Sequence, residues 1–450
     1  MDTPICDFVS AYEKKGGLRL HMPGHKGRPF LGMEGRDITE IAGADELYRA
    51  QGIIRQSEEN AALLFGAGKT VYSAEGSSLC IRAMVFLALA HARRYGRKPV
   101  ILAGRNAHKA FLSAAALLDA QVQWLYPEGE NGLIACPISA ERLERALKEM
   151  GEPPAAVYVT SPDYLGNMLD ISALSQACHR RNTLLMVDNA HGAYLRFLPD
   201  DRHPISLGAD VCCDSAHKTL PVLTGGAYLH FAKAAPADMM EQADRAMGLF
   251  ASSSPSYLIL QSLDQCNAYL AEGFREKTAQ TARRVEELKE KLLARGWALA
   301  GEEPMKLTLA PKAYGYTGDA LHNMLRRRGM ELEFSDPDFL TAMLTPEGGR
   351  DALGRLEDAL LSVPRQSPVD QAPPPLPRPR RVLSIREAML APAAEIPVED
   401  AAGRVLCGAP DLCPPCVPIA VPGEEIDPAA IRCFRYYGIG RCLVMPESGA

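Results

Sequence analysis

From about residue 41 to 270, short apolar runs alternate with stretches whose apolar positions recur at helical spacing, which predicts βα units around a mainly parallel sheet. The strand-like runs fall at 70–72, 100–102, 122–126, 156–160, 184–188, 211–214 and 227–231, and helices are predicted over 77–95, 107–118, 138–150 and 171–181. A longer helical pattern over 257–295 follows Ser252-Ser253-Ser254-Pro255-Ser256-Tyr257 and leads into a smaller α+β unit ending near Val363. Residues 365–381 are rich in proline and arginine, which predicts a semi-rigid linker of polyproline character; a signalling-module ligand is the weaker reading, since a linker needs no partner. The expected organisation is an amino-terminal segment (1–40), a large α/β domain (41–270), a small α+β domain (271–364), the linker (365–381) and a compact carboxy-terminal module (382–450). No internal repeat of solenoid period is visible.

Composition narrows the class. A chain of 450 residues, 47% of them hydrophobic, can bury a large core and is expected to form two or three domains. The formal net charge of −6 gives no electrostatic footprint for nucleic acid, so a small metabolite is the better default partner. Met1-Asp2-Thr3-Pro4 lacks the basic and apolar opening of a secretory signal, and no apolar run reaches membrane-spanning length, so a cytoplasmic protein without a membrane partner is expected. The twelve cysteines are scattered, unlike a secreted disulfide framework, and read as buried reduced thiols.

Chemistry concentrates at the ends of two predicted strands. Leu184-Leu185-Met186-Val187 delivers Asp188 to a carboxyl edge, where open α/β sheets place ligands, and Val211-Cys212-Cys213-Asp214 delivers Ser215, His217 and Lys218 to the same edge. A lysine after small and polar residues, with a carboxylate thirty residues upstream, suits a pyridoxal phosphate (PLP) site: the lysine forms the Schiff base and the aspartate pairs with the pyridinium nitrogen. Glu75-Gly76-Ser77-Ser78 lies between a strand and a helix, where free backbone N–H groups and small hydroxyls make an anion site; ordinary capping by Ser77 or Ser78 is the alternative, and the lysine nearby favours phosphate. Arg105-Asn106-Ala107-His108-Lys109 follows another strand, so His108 either lies on the cofactor ring or caps a helix.

Three further motifs read as structural. Gly66-Ala67-Gly68-Lys69-Thr70 resembles part of a nucleotide-binding loop, but Leu63 stands where a glycine is needed, and a helix precedes while a strand follows. Thr160-Ser161-Pro162-Asp163-Tyr164-Leu165-Gly166 is a strand-exit turn first and a substrate contact second. Cys413-Pro414-Pro415-Cys416 has the spacing of redox and zinc half-sites without the context of either, so no metal is expected.

With these residues in hand, the chain resembles the Orn/Lys/Arg decarboxylase family. The residues that carry the likeness are His21-Met22-Pro23-Gly24-His25-Lys26-Gly27, Asp37-Ile38-Thr39-Glu40, the Gly76-Ser77-Ser78 turn, Arg105 to Lys109, Val187 to Tyr194, Ser215 to Leu220 and Ser252 to Tyr257, together with Ser384 to Ala388 and Pro418 to Glu424 in the tail. The resemblance implies a PLP-dependent large domain of fold type I (aspartate aminotransferase-like), a small α+β domain and a carboxy-terminal α+β module, in the short form without an additional amino-terminal domain. It implies that Lys218 carries the cofactor, that Asp188 keeps the pyridine nitrogen protonated and that His108 stacks on the ring. Gly76, Ser77, Ser78, Ser215 and His217 would then surround the phosphate, with His191 also in the cofactor site and Ser254 reaching across a homodimer interface, or that of a higher homo-oligomer.

The activity implied is decarboxylation of arginine, lysine or ornithine to an amine and CO2, yielding a polyamine precursor or a diamine. Several positions depart from the family pattern: Asn189 where glutamate is usual, Tyr48 near a usual histidine, Gly225 where glutamine is usual, Ser161-Pro162-Asp163 for Ser-Pro-Thr, and Cys416 for glycine. They keep two other readings open, namely a different PLP reaction of aminotransferase or aldolase type, or a PLP-binding protein that has lost turnover. Glu424 and Asp163 are the carboxylates offered for the distal cation of a basic substrate.

Overall fold

The computed structural model describes residues 1–129, 133–408 and 417–446. Seven strands come first in chain order: β1 (Lys69–Ser73), β2 (Val100–Gly104), β3 (Gln121–Leu125), β4 (Ala156–Thr160), β5 (Leu184–Asp188), β6 (Val211–Asp214) and β7 (Ala227–Phe231). The chain divides into two compact units, residues 1–98 with 171–278, and residues 99–170 with 279–450.

In the first unit β5 and β6 pair in parallel, while β7 runs antiparallel to both β6 and β1. Every residue of β5, β6 and β7 is buried, as a strand covered on both faces requires. Helix Ile53–Phe65 ends at Gly66, whose φ of 69° supplies the left-handed turn into β1. The lysine of the nucleotide-loop look-alike therefore opens a strand, where its Nζ donates to Asp244 Oδ2 at 2.6 Å and to the Met240 carbonyl at 2.9 Å. Helix Pro4–Lys15 is seated by Asp264, whose Oδ2 accepts from the Ile5 and Cys6 amides at 3.0 and 2.9 Å.

In the second unit β2 pairs in parallel with β3 and with β4. A four-stranded antiparallel sheet (Phe334–Ser335, Leu340–Met343, Lys306–Leu309, Leu299–Ala300) packs a core that includes Trp297 stacked on Tyr314. A three-stranded sheet (Ala394–Pro397, Arg441–Val444, Leu406–Gly408) carries the tail, around Phe434, Ile419 and Val444. The proline- and arginine-rich stretch has no helix, and Arg378 and Arg381 tie it to Tyr126 and to the Val122 carbonyl of β3.

Helix boundaries differ from the sequence expectation where caps decide them. Ser139 caps Ala140–Glu149, accepting from the Arg142 amide at 3.1 Å, so the helix begins two residues later than its apolar pattern does. The pattern over 257–295 is two helices, Tyr257–Ala271 and Phe274–Arg295, broken at Gly273 with φ of 70°. Ten cysteines among the described residues are free and buried, whereas Cys413 and Cys416 lie outside the described residues. No helix among the described residues is long and apolar enough to cross a membrane.

Candidate active site

Strand β5 ends at Asp188, 2% exposed, and parallel pairing sets it opposite Cys213 of β6, whose Sγ lies 3.7 Å from Asp188 Oδ1. The chain leaving β6 makes one short helical turn, Ala216–Thr219, which presents Lys218 half-buried. Its Nζ lies 3.0 Å from Nε2 of His191, three residues beyond Asp188. The two strand exits thus bring the lysine, the imidazole and the carboxylate segment together. The His217 Nδ1–H and backbone N–H both donate to the Gly226 carbonyl, at 2.9 and 3.2 Å.

The anion turn takes the form that favours a phosphate. Helix Ser77–Arg94 is capped by Gly76, with φ of 72° and no side-chain cap, so neither serine is the N-cap and both sit in the first turn. Gly76 N donates to the Gly225 carbonyl at 2.7 Å, and Ser73 Oγ donates to the Gly76 carbonyl at 2.9 Å, which fixes the turn from both sides. The Ser215 hydroxyl donates to that of Ser77 at 2.8 Å, joining this turn to the lysine segment. A Cβ added at Gly76 would meet only Ser78 N, at 4.0 Å, so the cradle is open on that side. At Gly225, where glutamine is usual, φ is 102° and a Cβ would stand 3.0 Å from the Ala74 carbonyl oxygen, so this backbone requires glycine.

The remaining expected site residues are placed by local contacts. His108 belongs to the second unit and is the N-cap of helix Lys109–Leu118, its Nδ1 accepting from the Ala110 amide at 3.1 Å, which leaves Nε2 to carry the proton. Ser254 is exposed on a loop whose Ser252 amide donates to Glu75 Oε1 at 2.7 Å. The two carboxylates considered for a substrate cation are both committed elsewhere. Asp163 receives the Leu165 and Asn167 amides at 2.9 Å and the Asn167 side chain at 2.7 Å, and burial pushes its carboxyl up to about 6. Glu424, 2% exposed, faces Arg105 at 3.4 Å and accepts from the Val421 amide at 2.8 Å.

Residues that the sequence did not single out meet at the end of β6, the strand that leads into the Lys218 turn. Asp214, His203 and His230 are all completely buried, with His203 Nε2 at 2.9 Å and His230 Nε2 at 3.4 Å from Asp214 Oδ2. Burial would raise the Asp214 carboxyl, but the two histidines outweigh it and hold the group well below the usual carboxylate range. These three ligand atoms lie within 4.8 Å of one another, close enough for a metal. The Ile205 amide points at His203 Nδ1 at 3.4 Å and so leaves the Nε2–H of that ring to the carboxylate, while His230 Nδ1 lies 2.8 Å from Thr70 Oγ1. A histidine inside the apolar strand Ala227–Phe231 was the available signal for this cluster.

An amine, a buried carboxylate at a neighbouring strand end and an open hydroxyl-lined helix start fit pyridoxal phosphate, and the α/β scaffold is the fold type I architecture. Residues 3–311 match the Orn/Lys/Arg decarboxylase major domain, and the chain belongs to that family. It is 29% identical over 459 residues to the arginine decarboxylase of Bacillus subtilis (strain 168), covering 94% of this chain and 91% of that protein. It is 28% identical over 469 residues to the arginine decarboxylase of Halalkalibacterium halodurans, covering 96% and 93%. The lysine decarboxylase LdcF of Francisella novicida shares the fold, with a TM-score of 0.79, 17% identity and coverage of 98% and 80%. The protein is thus an amino acid decarboxylase, a PLP-dependent lyase of the basic amino acid class.

Proposed function

We propose that the protein decarboxylates arginine to the corresponding amine and CO2, with Lys218 as the residue that binds the cofactor. The observation that carries the site is the 3.0 Å approach of Lys218 Nζ to His191 Nε2 beside the Asp188 strand end. Arginine is preferred over lysine and ornithine because the full-length relatives named above are arginine decarboxylases.

When bound, the cofactor supplies an electron sink for the pair left behind as the carboxylate departs. Asp188 holds a proton on the ring nitrogen, which its burial makes effective by excluding competing water. Gly76, Ser77, Ser78 and Ser215 hold the phosphate through the helix start and the paired hydroxyls. His108, with its proton on Nε2, is the imidazole offered to the ring, and His191 sets the position of the Lys218 amine. Lys218 Nζ then delivers a proton to Cα of the product.

Borohydride reduction followed by peptide mass mapping is expected to find the pyridoxyl group on Lys218, and a CO2-release screen of arginine, lysine and ornithine is expected to favour arginine. An adduct on another lysine would sink the cofactor assignment. Bound cofactor with keto acid exchange, or with no turnover, would sink the reaction.

The same reading makes the working species a homodimer. Leu18, Leu20, Phe30 and Leu31 are 85, 83, 78 and 84% exposed within one amino-terminal stretch, apolar surface that association would bury, and Ser254 is exposed as a residue reaching a partner's site must be. Sedimentation of the purified protein is expected to give a dimer, and glutamate at Leu18, Phe30 and Leu31 together to give monomers; a wild-type monomer with full turnover would refute it.

A further inference from the structure

We propose that Asp214 is a positioning residue for the cofactor site, a buried anion that clamps the Asp188 strand end against the turn bearing Lys218. This rests on the assignment of Lys218 and Asp188 above and adds a residue behind them. One oxygen, Oδ1, accepts from Asn189 Nδ2 at 2.7 Å, and Asn189 is the neighbour of Asp188. The other, Oδ2, accepts from His203 Nε2 at 2.9 Å and faces His230 Nε2 at 3.4 Å, while His230 Nδ1 is anchored to Thr70 Oγ1 of β1 at 2.8 Å. One carboxylate therefore binds the exits of β5 and β6 to each other and ties both to β7 and β1.

The surroundings are built for a single negative charge. Asp214, His203, His230 and Asn189 have no exposed surface, and the Phe65 ring lies 4.4 Å from that of His230 and 5.4 Å from that of His203. In such a dry setting, hydrogen bonds to an anion are strong and an unpaired charge is heavily penalised. Asn189 stands where the family pattern usually has glutamate, and only its neutral donor is compatible with this anion, because an acid there would set two carboxylates face to face without water. The chain also makes room for it: a Cβ on Gly192 would fall 2.0 Å from Asn189 Oδ1.

A slack clamp lets the two strand exits separate, so its loss must appear in cofactor binding as well as in stability. The test uses D214N, N189D and the swapped pair N189D/D214N, each purified as holoenzyme and, after cofactor removal, titrated with pyridoxal phosphate while the visible absorption band is followed. Each single variant is expected to weaken cofactor affinity by about tenfold or more and to displace the band, whereas the swap, which restores one acid opposite one amide, recovers affinity to within about threefold. Unchanged affinity and band in D214N would overturn the proposal even if its melting temperature fell, and so would a swap no better than the worse single variant. If a single variant does not fold, the swapped protein alone decides. A wild-type borohydride adduct away from Lys218 would refute the underlying assignment, while an adduct on Lys218 beside an unaffected D214N would refute only the clamp.

Discussion

Replacing Lys218 with alanine is expected to abolish amine formation, lowering kcat/KM by about 10⁴-fold or more, while the apo protein melts close to wild type. Two roles disappear together, the covalent hold on the cofactor and the proton supply at Cα. The fold has little at stake, because Lys218 is half-buried on a four-residue helical turn. Lysine to arginine at this position keeps the charge but not a nucleophilic amine, so it is expected to be equally inactive. Steady-state CO2 release, paired with the visible spectrum of the reconstituted variant, checks both statements. Retention of more than about one hundredth of wild-type turnover by either variant would mean that another amine does the chemistry.

How far this site could be read before the structure depends on how local each signal is. Asp188 and Lys218 were legible because an apolar run fixes a strand, the strand fixes its carboxyl end, and the residues just beyond that end lie at the ligand edge of the sheet. The seven strands fall within two residues of the sequence expectation for the same reason. Gly76 emerged as the cap in place of either serine because its φ of 72° is a backbone property that composition does not carry. The Asp214 cluster was out of reach for a different reason. His203, Asp214, His230 and Asn189 come from two strand ends, the interior of β7 and a loop, so only tertiary packing makes them one object. The contact of Glu424 with Arg105 was out of reach on the same grounds, since the two are more than three hundred residues apart in the chain.

That pair sets the largest expected loss of stability, with Arg105→Leu costing about 3–5 kcal/mol. The Arg105 guanidinium is 2% exposed and donates to the Pro418 and Ile419 carbonyls at 3.0 Å each, besides facing Glu424 at 3.4 Å and lying over the rings of Trp124 and Tyr126. Leucine would leave two carbonyls and one carboxylate without this donor in a site that water does not reach. Glu424→Gln is expected to cost less, because Arg105 keeps both carbonyls and the amide oxygen can still accept from Val421. The pH dependence has a definite sign. Burial already raises the Glu424 carboxyl and Arg105 opposes that rise, so removing the arginine lifts it further. A folded-state pKa above the unfolded value favours folding most below the unfolded value and loses that benefit as pH rises through the folded one, so the Arg105→Leu deficit widens from acid towards neutral pH. Both tryptophans of the chain, Trp124 and Trp297, lie in the second unit, which makes intrinsic fluorescence during urea unfolding a direct report on the part affected. A deficit under about 1 kcal/mol at neutral pH would show that the pair is not what holds the tail residues Pro418 and Ile419 in place, and a raised KM for arginine in Glu424→Gln at unchanged stability would return Glu424 to the substrate.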